Sequence, residues 1–189
     1  MALLNSPPFI LSDKIIQETN ASLLQSFSWL DKAFGRAERI IKRFNGRDLK
    51  LPAVYVGTAH KPNDYLELSP DSKIGNFSFW WLLDPESYEW KTRIPGVFHT
   101  PFALIFWFDL SKIFETPDTR NLSLLESQIV KHLNRELFLT GGSITINEIY
   151  RLPENIYKEF DLYAVDNQFL MHPYGGFRLE GEFMFDEPC

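Results

Sequence analysis

The strongest constraint on this chain is a strand that has no polar side. Between Val97 and Leu110 the central residues Phe102-Ala103-Leu104-Ile105-Phe106-Trp107-Phe108 are apolar at every position. Alternate side chains of a strand point to opposite faces, so this run must be covered on both and belongs in the middle of a sheet. Phe77-Ser78-Phe79-Trp80-Trp81-Leu82-Leu83 and Phe177 to Phe185 are also aromatic-rich strand runs with a heavily buried face. In the last run Phe177, Leu179, Gly181, Phe183 and Phe185 share one face, and Arg178, Glu180 and Glu182 share the other. Phe, Tyr and Trp make 15% of the chain, and their concentration in these runs assigns them to a core.

Helical spacing appears twice. Ile16, Leu23, Phe27, Leu30 and Phe34 recur at intervals of a helix face, with Ser12 or Asp13 as N-cap and Gly35 as the residue beyond the C-terminus. A helix over about 12–34 is expected. A second, about 122–138, has Leu122, Leu125, Ile129, Leu133 and Leu137 as its stripe, Asn121 or Ser123 as cap, and Ser123-Leu124-Leu125-Glu126 as a capping box.

Strands fill the rest. Asn45-Gly46 is the dipeptide of a type I′ turn, with Ile41 to Phe44 before it and Asp48 to Leu51 after it. A hairpin across 36–56 is preferred over a helix from Arg36 to Phe44, which the apolar spacing also permits. Pro52 is expected near an edge or bulge. Tyr65 to Leu68 is a short strand. In Ile144 to Tyr150, the residues Ile144, Ile146 and Tyr150 alternate with Thr145, Asn147 and Ile149. Gly175-Gly176 reads as a turn before the last strand. The order is helix, strands, helix, strands. This is an α+β fold, a mainly antiparallel sheet with both helices packed on one face, in a single domain over 1–189.

Nineteen basic and twenty-five acidic residues give a net charge of −6, which argues against a broad grip on nucleic acid. Arg36, Arg39, Lys42, Arg43, Arg47 and Lys50 cluster in sequence and read as solvated strand and turn positions. The lone cysteine, Cys189, cannot form an internal disulfide, so no oxidising compartment is needed. No apolar run is long enough to span a membrane, and Met1 to Pro8 lacks the pattern of a secretory signal. An intracellular site is expected.

No residue stands out as catalytic. His60, His99, His132 and His172 lack metal-ligand spacing, so no metal and no cofactor is assigned. The carboxylates Glu180 with Glu182, and Asp84 with Glu86, lack the cleft that acid–base work requires. There is no Gly-x-Ser-x-Gly elbow. Gly141-Gly142-Ser143 runs from helix to strand, the wrong order for a phosphate cradle.

Several stretches together resemble a protein family. They are Ala33-Phe34-Gly35-Arg36-Ala37, Leu51-Pro52-Ala53-Val54-Tyr55-Val56-Gly57, Asp64 to Asp71, Gly75 to Trp80 and Pro173-Tyr174-Gly175-Gly176-Phe177-Arg178. In them the chain resembles small prophage structural proteins of the tail-terminator or head–tail-joining (neck) kind. The resemblance implies an α+β protein that forms rings and docks on tail-tube or neck proteins. It implies no catalysis, no membrane, and a place in the cytoplasm of a bacterial host or in the virion. Ring closure needs two unlike edges that fit each other. The contact segments are then the hairpin at Asn45 and Gly46, Thr58 to Asn63, Asp84 to Gly96 with Tyr88 and Trp90, and Asp166 to Gly176 with Tyr174 and the adjoining Phe177. At 189 residues the chain is long for a minimal terminator. The alternative is a small-ligand-binding or enzymatic α+β domain whose aromatic pocket carries His99, Tyr55 and Glu67.

Overall fold

A computed structural model describes residues 7–56, 64–89, 97–137, 139–140 and 142–186. In chain order the elements are α1 (Pro7–Ser26), β1 (Lys32–Arg36), β2 (Glu38–Phe44), β3 (Arg47–Tyr55), β4 (Tyr65–Glu67), β5 (Phe77–Leu82), β6 (Ser87–Glu89), β7 (Val97–Asp109), α2 (Thr119–Lys131), β8 (Ser143–Tyr150), α3 (Pro153–Ile156) and β9 (Tyr174–Asp186). They build two sheets. The larger has the order β1-β5-β7-β9-β8, with β6 also on β7, and the smaller is β2-β3-β4. Every pairing is antiparallel except β1 with β5. The fold is α+β, as the clustering of strands required.

The large sheet is a wall with apolar cover on both sides. Trp80, Phe102, Leu104, Phe106, Phe108, Phe177, Leu179, Phe183 and Phe185 pack with Ile15, Ile16 and Leu23 of α1 and with Leu125, Ile129 and Leu133 of the α2 region. Both long helices therefore cover one face. Phe77, Phe79, Ala103, Ile105 and Trp107 form a second core with Val54 of the small sheet and with Ile156, Tyr157 and Phe160 around α3. This is why β7 has no polar side. It lies between β5 and β9, and Phe102 to Phe108 are all fully or almost fully buried. Each buried ring stabilises the fold by about 1.5–3 kcal/mol relative to exposure. Among the described residues no helix is long and apolar enough to cross a membrane.

Several expectations are corrected. The first helix ends at Ser26, and Phe34 and Gly35, read as helix and cap, lie in β1. Two asparagines redirect the chain. The Asn76 carbonyl accepts from the N–H groups of Asp31 (2.9 Å) and Lys32 (3.1 Å), and its side-chain amide donates to the Trp29 carbonyl (2.9 Å). Asn20 donates to the Phe34 carbonyl (2.9 Å) while accepting from the Trp80 indole N–H (2.9 Å). Backbone groups that a helix would satisfy internally are instead satisfied by Asn76, just ahead of β5, and by Asn20 of α1. Ser12 is no cap but a buried residue within α1. The second helix starts earlier than its capping box implied, because Asp118 accepts from the Arg120 N–H (2.9 Å) as N-cap.

The hairpin is present, with Phe44 opposite Arg47 across Asn45 (φ 48°) and Gly46 (φ 79°), the two positive φ angles of a type I′ turn. Pro52 lies on β3, the middle strand of the small sheet, rather than at an edge. Its carbonyl accepts from Leu68 (2.8 Å) just past the end of β4, so its missing N–H falls where that ladder closes. The register of β8 slips between Ile146 and Glu148. The bulge puts Ile149, not Tyr150, beside Ile144 and Ile146 against the helix-side core. Gly175 and Gly176 belong to β9, opposite Phe108 and Trp107. A Cβ on Gly176 would sit 2.6 Å from Cε3 of Trp107, so only glycine lets β9 approach that indole.

Candidate interaction surfaces

The buried rings leave little chemistry inside the molecule. Ionisable groups within it act as ties. Arg178, fully buried on β9, is held by both carboxylate oxygens of Glu159, by Glu180 (2.7 Å) and by the Ile156 carbonyl (3.3 Å). Glu180 also pairs with Lys158 (2.6 Å), whose ammonium lies 4.7 Å from the Tyr150 ring centre. The Tyr150 hydroxyl donates to Glu148, which pushes its pKa up to about 12. This network pins the α3 segment to the sheet, because a guanidinium removed from water must have its charge and its N–H groups answered. Glu180 and Glu182, two residues apart on one face of β9, differ in this respect. Glu180 is engaged inward, and Glu182 faces outward at 43% side-chain exposure.

Tyr157 is buried in the second core and its hydroxyl donates to the Leu68 carbonyl at 3.3 Å. Burial, then the charge of Asp71, drives its pKa well above the usual phenol value, so it stays a neutral donor. Arg151 forms a bidentate pair with Glu126 (2.8 Å on both arms), which raises its pKa. Glu18 accepts from the hydroxyl and the N–H of Thr140, and these bonds, helped by Lys14, hold its carboxyl below 4.5. Among the described residues no group of three His, Cys, Asp or Glu side chains could hold a metal ion.

The pocket imagined around His99, Tyr55 and Glu67 is not assembled. His99 lies on β7 with Nδ1 3.3 Å from Glu182 and Nε2 3.9 Å from Glu89. Glu67 pairs with Lys42 at 2.9 Å, and Tyr55 packs edge-on against Tyr65. A cleft of about 540 Å³ does exist between the turn after β4 and residues 164–169. Lys32, Lys42 and Lys73 line it together with Glu67, Asp71 and Asp166. Asp71 accepts from the Lys73 and Ile74 N–H groups, and Asp166 from Gln168, so these carboxylates brace their own loops.

The surface is where the molecule is unusual. The hairpin β2–β3 carries Arg39, Lys42, Arg43, Arg47 and Lys50, all exposed. Between them Ile41 stands 71% exposed and Phe44 38%. Alternation places Arg39, Ile41 and Arg43 on one side of β2. Arg39 stacks on Trp81 (5.4 Å) and Arg47 on Tyr163 (4.8 Å), contacts that hold these guanidiniums against the rings. Counting from Arg36 to Lys50, six basic residues meet two acidic ones, a local +4 in a chain of −6, which leaves −10 for the rest.

Part of that negative balance gathers at the rim where β6, β7 and β9 meet. Glu89 (61% side-chain exposure) and Glu182 flank His99, and the Thr100 hydroxyl donates to Glu86 at 3.1 Å. Tyr88 lies in strand β6 rather than a loop. Its ring packs on Phe98 at 4.7 Å yet remains 38% exposed.

Of the interface residues expected from sequence, Asn45 and Gly46 are exposed at the hairpin tip and Tyr88 is exposed on this rim. Trp90 and the loop Thr58 to Asn63 lie outside the described residues. Tyr174 is half-buried at the start of β9 against Phe169 (5.1 Å), and burial followed by Asp109 raises its pKa. Phe177 is a correction. It is fully buried between Phe106 and Phe108 and cannot touch another subunit. The sequence pointed to the hairpin through its turn. It did not point to Ile41, because an isoleucine in a strand reads as core until the sheet it faces is known. No family model and no curated protein matches the chain.

Proposed function

We propose that this chain is a structural protein that works by self-assembly and docking, of the tail-terminator or head–tail-joining kind its sequence resembles. On this reading it breaks no bond and needs no cofactor. It acts in the cytoplasm of a bacterial host and, in a functional phage, in the virion, against tail-tube or neck proteins.

The observation that carries the reading is the division of labour between core and hairpin. The large rings are committed to two cores, and the interior charges tie segments together. What is offered outward is a basic hairpin with an exposed isoleucine and, elsewhere, Glu89 and Glu182 on one face of the large sheet with Tyr88 on the opposite face. Arginine and aromatic residues at an apolar spot are the usual anchors of protein interfaces. Surfaces of unlike chemistry on one protomer are also what a head-to-tail contact requires.

Light scattering after size-exclusion chromatography, over a wide concentration range and with tail-tube protein from the same gene cluster, tests the reading. Oligomers or a stable complex are expected. A monomer that ignores those proteins would overturn it. The cleft beside Lys32 and Lys73 favours a ligand-binding second reading, since neither ammonium has an ion-pair partner among the described residues. Thermal stabilisation by a small charged ligand, lost in Lys32→Ala with Lys73→Ala, would distinguish it.

A further inference from the structure

We propose that the outer edge of β2 is a docking strand for an extended acidic segment of a partner protein, which adds to the small sheet as a fourth strand. The inference rests on the docking reading and names the chemistry of the partner.

The turn fixes which backbone groups are on offer. A two-residue type I′ loop makes its flanking pair, Phe44 with Arg47, a hydrogen-bonded one, and bonded and non-bonded pairs then alternate down the hairpin. Phe44, Lys42, Ile40 and Glu38 therefore direct their N–H and C=O groups to β3. Arg43, Ile41 and Arg39 turn theirs the other way. The same alternation is visible on β3. Lys50, opposite Ile41, donates its N–H to the Asp161 carboxylate (2.7 Å) and accepts from the Asp161 N–H (2.8 Å), and Pro52, opposite Arg39, accepts from Leu68. No such neighbour serves the other side of the hairpin. β2 is the end strand of its sheet, and among the described residues nothing bonds to its outward backbone groups.

The side chains say what kind of strand fits there. Arg39, Ile41 and Arg43 share one face, so an incoming strand meets cation, apolar group and cation in turn. Ile41 is the most exposed large apolar side chain described, and Arg43 is exposed with no ion-pair partner among the described residues. Lys42, on the opposite face, is already answered by Glu67 at 2.9 Å. The complementary segment is therefore acidic, apolar and acidic at alternate positions. A hollow of about 350 Å³ at the N-terminal end of β2, with Arg39, Trp81 and Leu82 among its walls, has room for one further side chain of that segment. A second copy of β2 does not fit. Paired antiparallel about Ile41, it sets Arg39 opposite Arg43 and brings two segments of +4 together. Nucleic acid fits less well, since phosphate oxygens answer the outward N–H groups and supply no donor to the outward C=O groups.

NMR titration of the isotope-labelled protein with the peptide acetyl-Thr-Glu-Thr-Val-Thr-Glu-Thr amide tests this. The amide protons of Arg39, Ile41 and Arg43 are expected to move downfield, and those of Ile40 and Lys42, already bonded to β3, much less. Binding should weaken as salt rises from about 0.05 M to about 0.5 M. N-methylation of the Glu and Val residues of the peptide keeps its charge and side chains but removes the bonding N–H groups, and should cost at least about tenfold in affinity. Ile41→Pro should cost as much, because it removes an outward N–H that the fold does not use, and near-UV circular dichroism from the buried tryptophans checks that the variant is folded. Equal binding of the methylated peptide, or equal binding by the Ile41→Pro protein, overturns the inference in favour of contact between side chains alone. No saturable shift at these amides, or the same shift with Lys in place of Glu in the peptide, overturns it as well. Tail-tube protein separates the inference from the reading beneath it. If it binds the Ile41→Pro protein as it binds the wild type, docking stands and the edge of β2 is not its site. If the peptide binds as expected while tail-tube and neck proteins are ignored, the edge stands as a docking strand and the tail reading falls.

Discussion

The two sheets use the same residue types to opposite ends. In the large sheet apolar side chains occupy both faces, and its one buried cation, Arg178, is enclosed by carboxylates. In the small sheet the inward residues Leu49, Leu51, Ala53 and Val54 are buried, while β2 exposes nearly everything it carries, Ile41 and Phe44 included. Apolar burial scales with the area removed from water, so the large sheet holds most of the folding free energy. The outer strand β2 contributes little to that balance. A segment free of the packing constraint can vary its outward side chains with small effect on the fold, which suits it to meeting other molecules.

Substitutions can break this contrast in order of expected size. Phe106→Ala, in the helix-side core, should destabilise the protein by about 3–5 kcal/mol in chemical denaturation, because the cavity adds to the lost transfer energy. A value near 1 kcal/mol would mean the wall is loosely packed. Glu159→Gln should cost about 3 kcal/mol, since it leaves the enclosed Arg178 with half of its charge compensation, and Glu180→Gln should cost less because Glu180 meets one guanidinium nitrogen rather than two. Equal losses would argue that the network is not directional. Gly46→Ala should cost about 1 kcal/mol through its positive φ, with no neighbour within 4 Å to clash.

Glu18→Gln sharpens the contrast at a site that belongs to neither sheet. The folded-state pKa of Glu18 lies below 4.5, so its contribution is present above that pH and fades as pH falls through the lowered value. The wild type should exceed the variant by under about 0.5 kcal/mol at neutral pH, and the gap should close in acid. A gap that widens in acid would reverse the sign and refute the tie to Thr140. Smallest of all, Ile41→Glu with Arg43→Glu should change stability by less than about 0.5 kcal/mol in chemical denaturation. A large stability loss would mean the hairpin is part of the core after all.

What could be read beforehand follows the range of the interactions. The type I′ turn was legible because two adjacent residues, Asn45 and Gly46, meet its dihedral demands by themselves. The central place of β7 was legible because no one-faced strand tolerates seven consecutive apolar residues. The end of α1 was not, since Phe27, Leu30 and Phe34 keep the helical interval. Only Asn76, more than forty positions away, outbids the helix for the backbone at 31–32. The bulge in β8 exchanged Ile149 for Tyr150 in the core, a register effect that alternation cannot anticipate. The surfaces divide in the same way. The basic run was visible in sequence and was read as solvated; Arg39 to Lys50 carry it on exposed positions, while Arg36 is half-buried. Its placement beside an outward isoleucine needed the sheet, and Phe177 looked available until β9 was seen between β7 and β8.

By itself the amino-acid sequence determined that this chain builds a buried, largely antiparallel aromatic sheet with two helices, because periodicity and side-chain volume act over a few residues. Tertiary structure alone decided which aromatic and charged residues face inward. Burial is a property of what lies opposite, and for Arg178, Phe177 and Ile41 the answer came from segments far away in the chain.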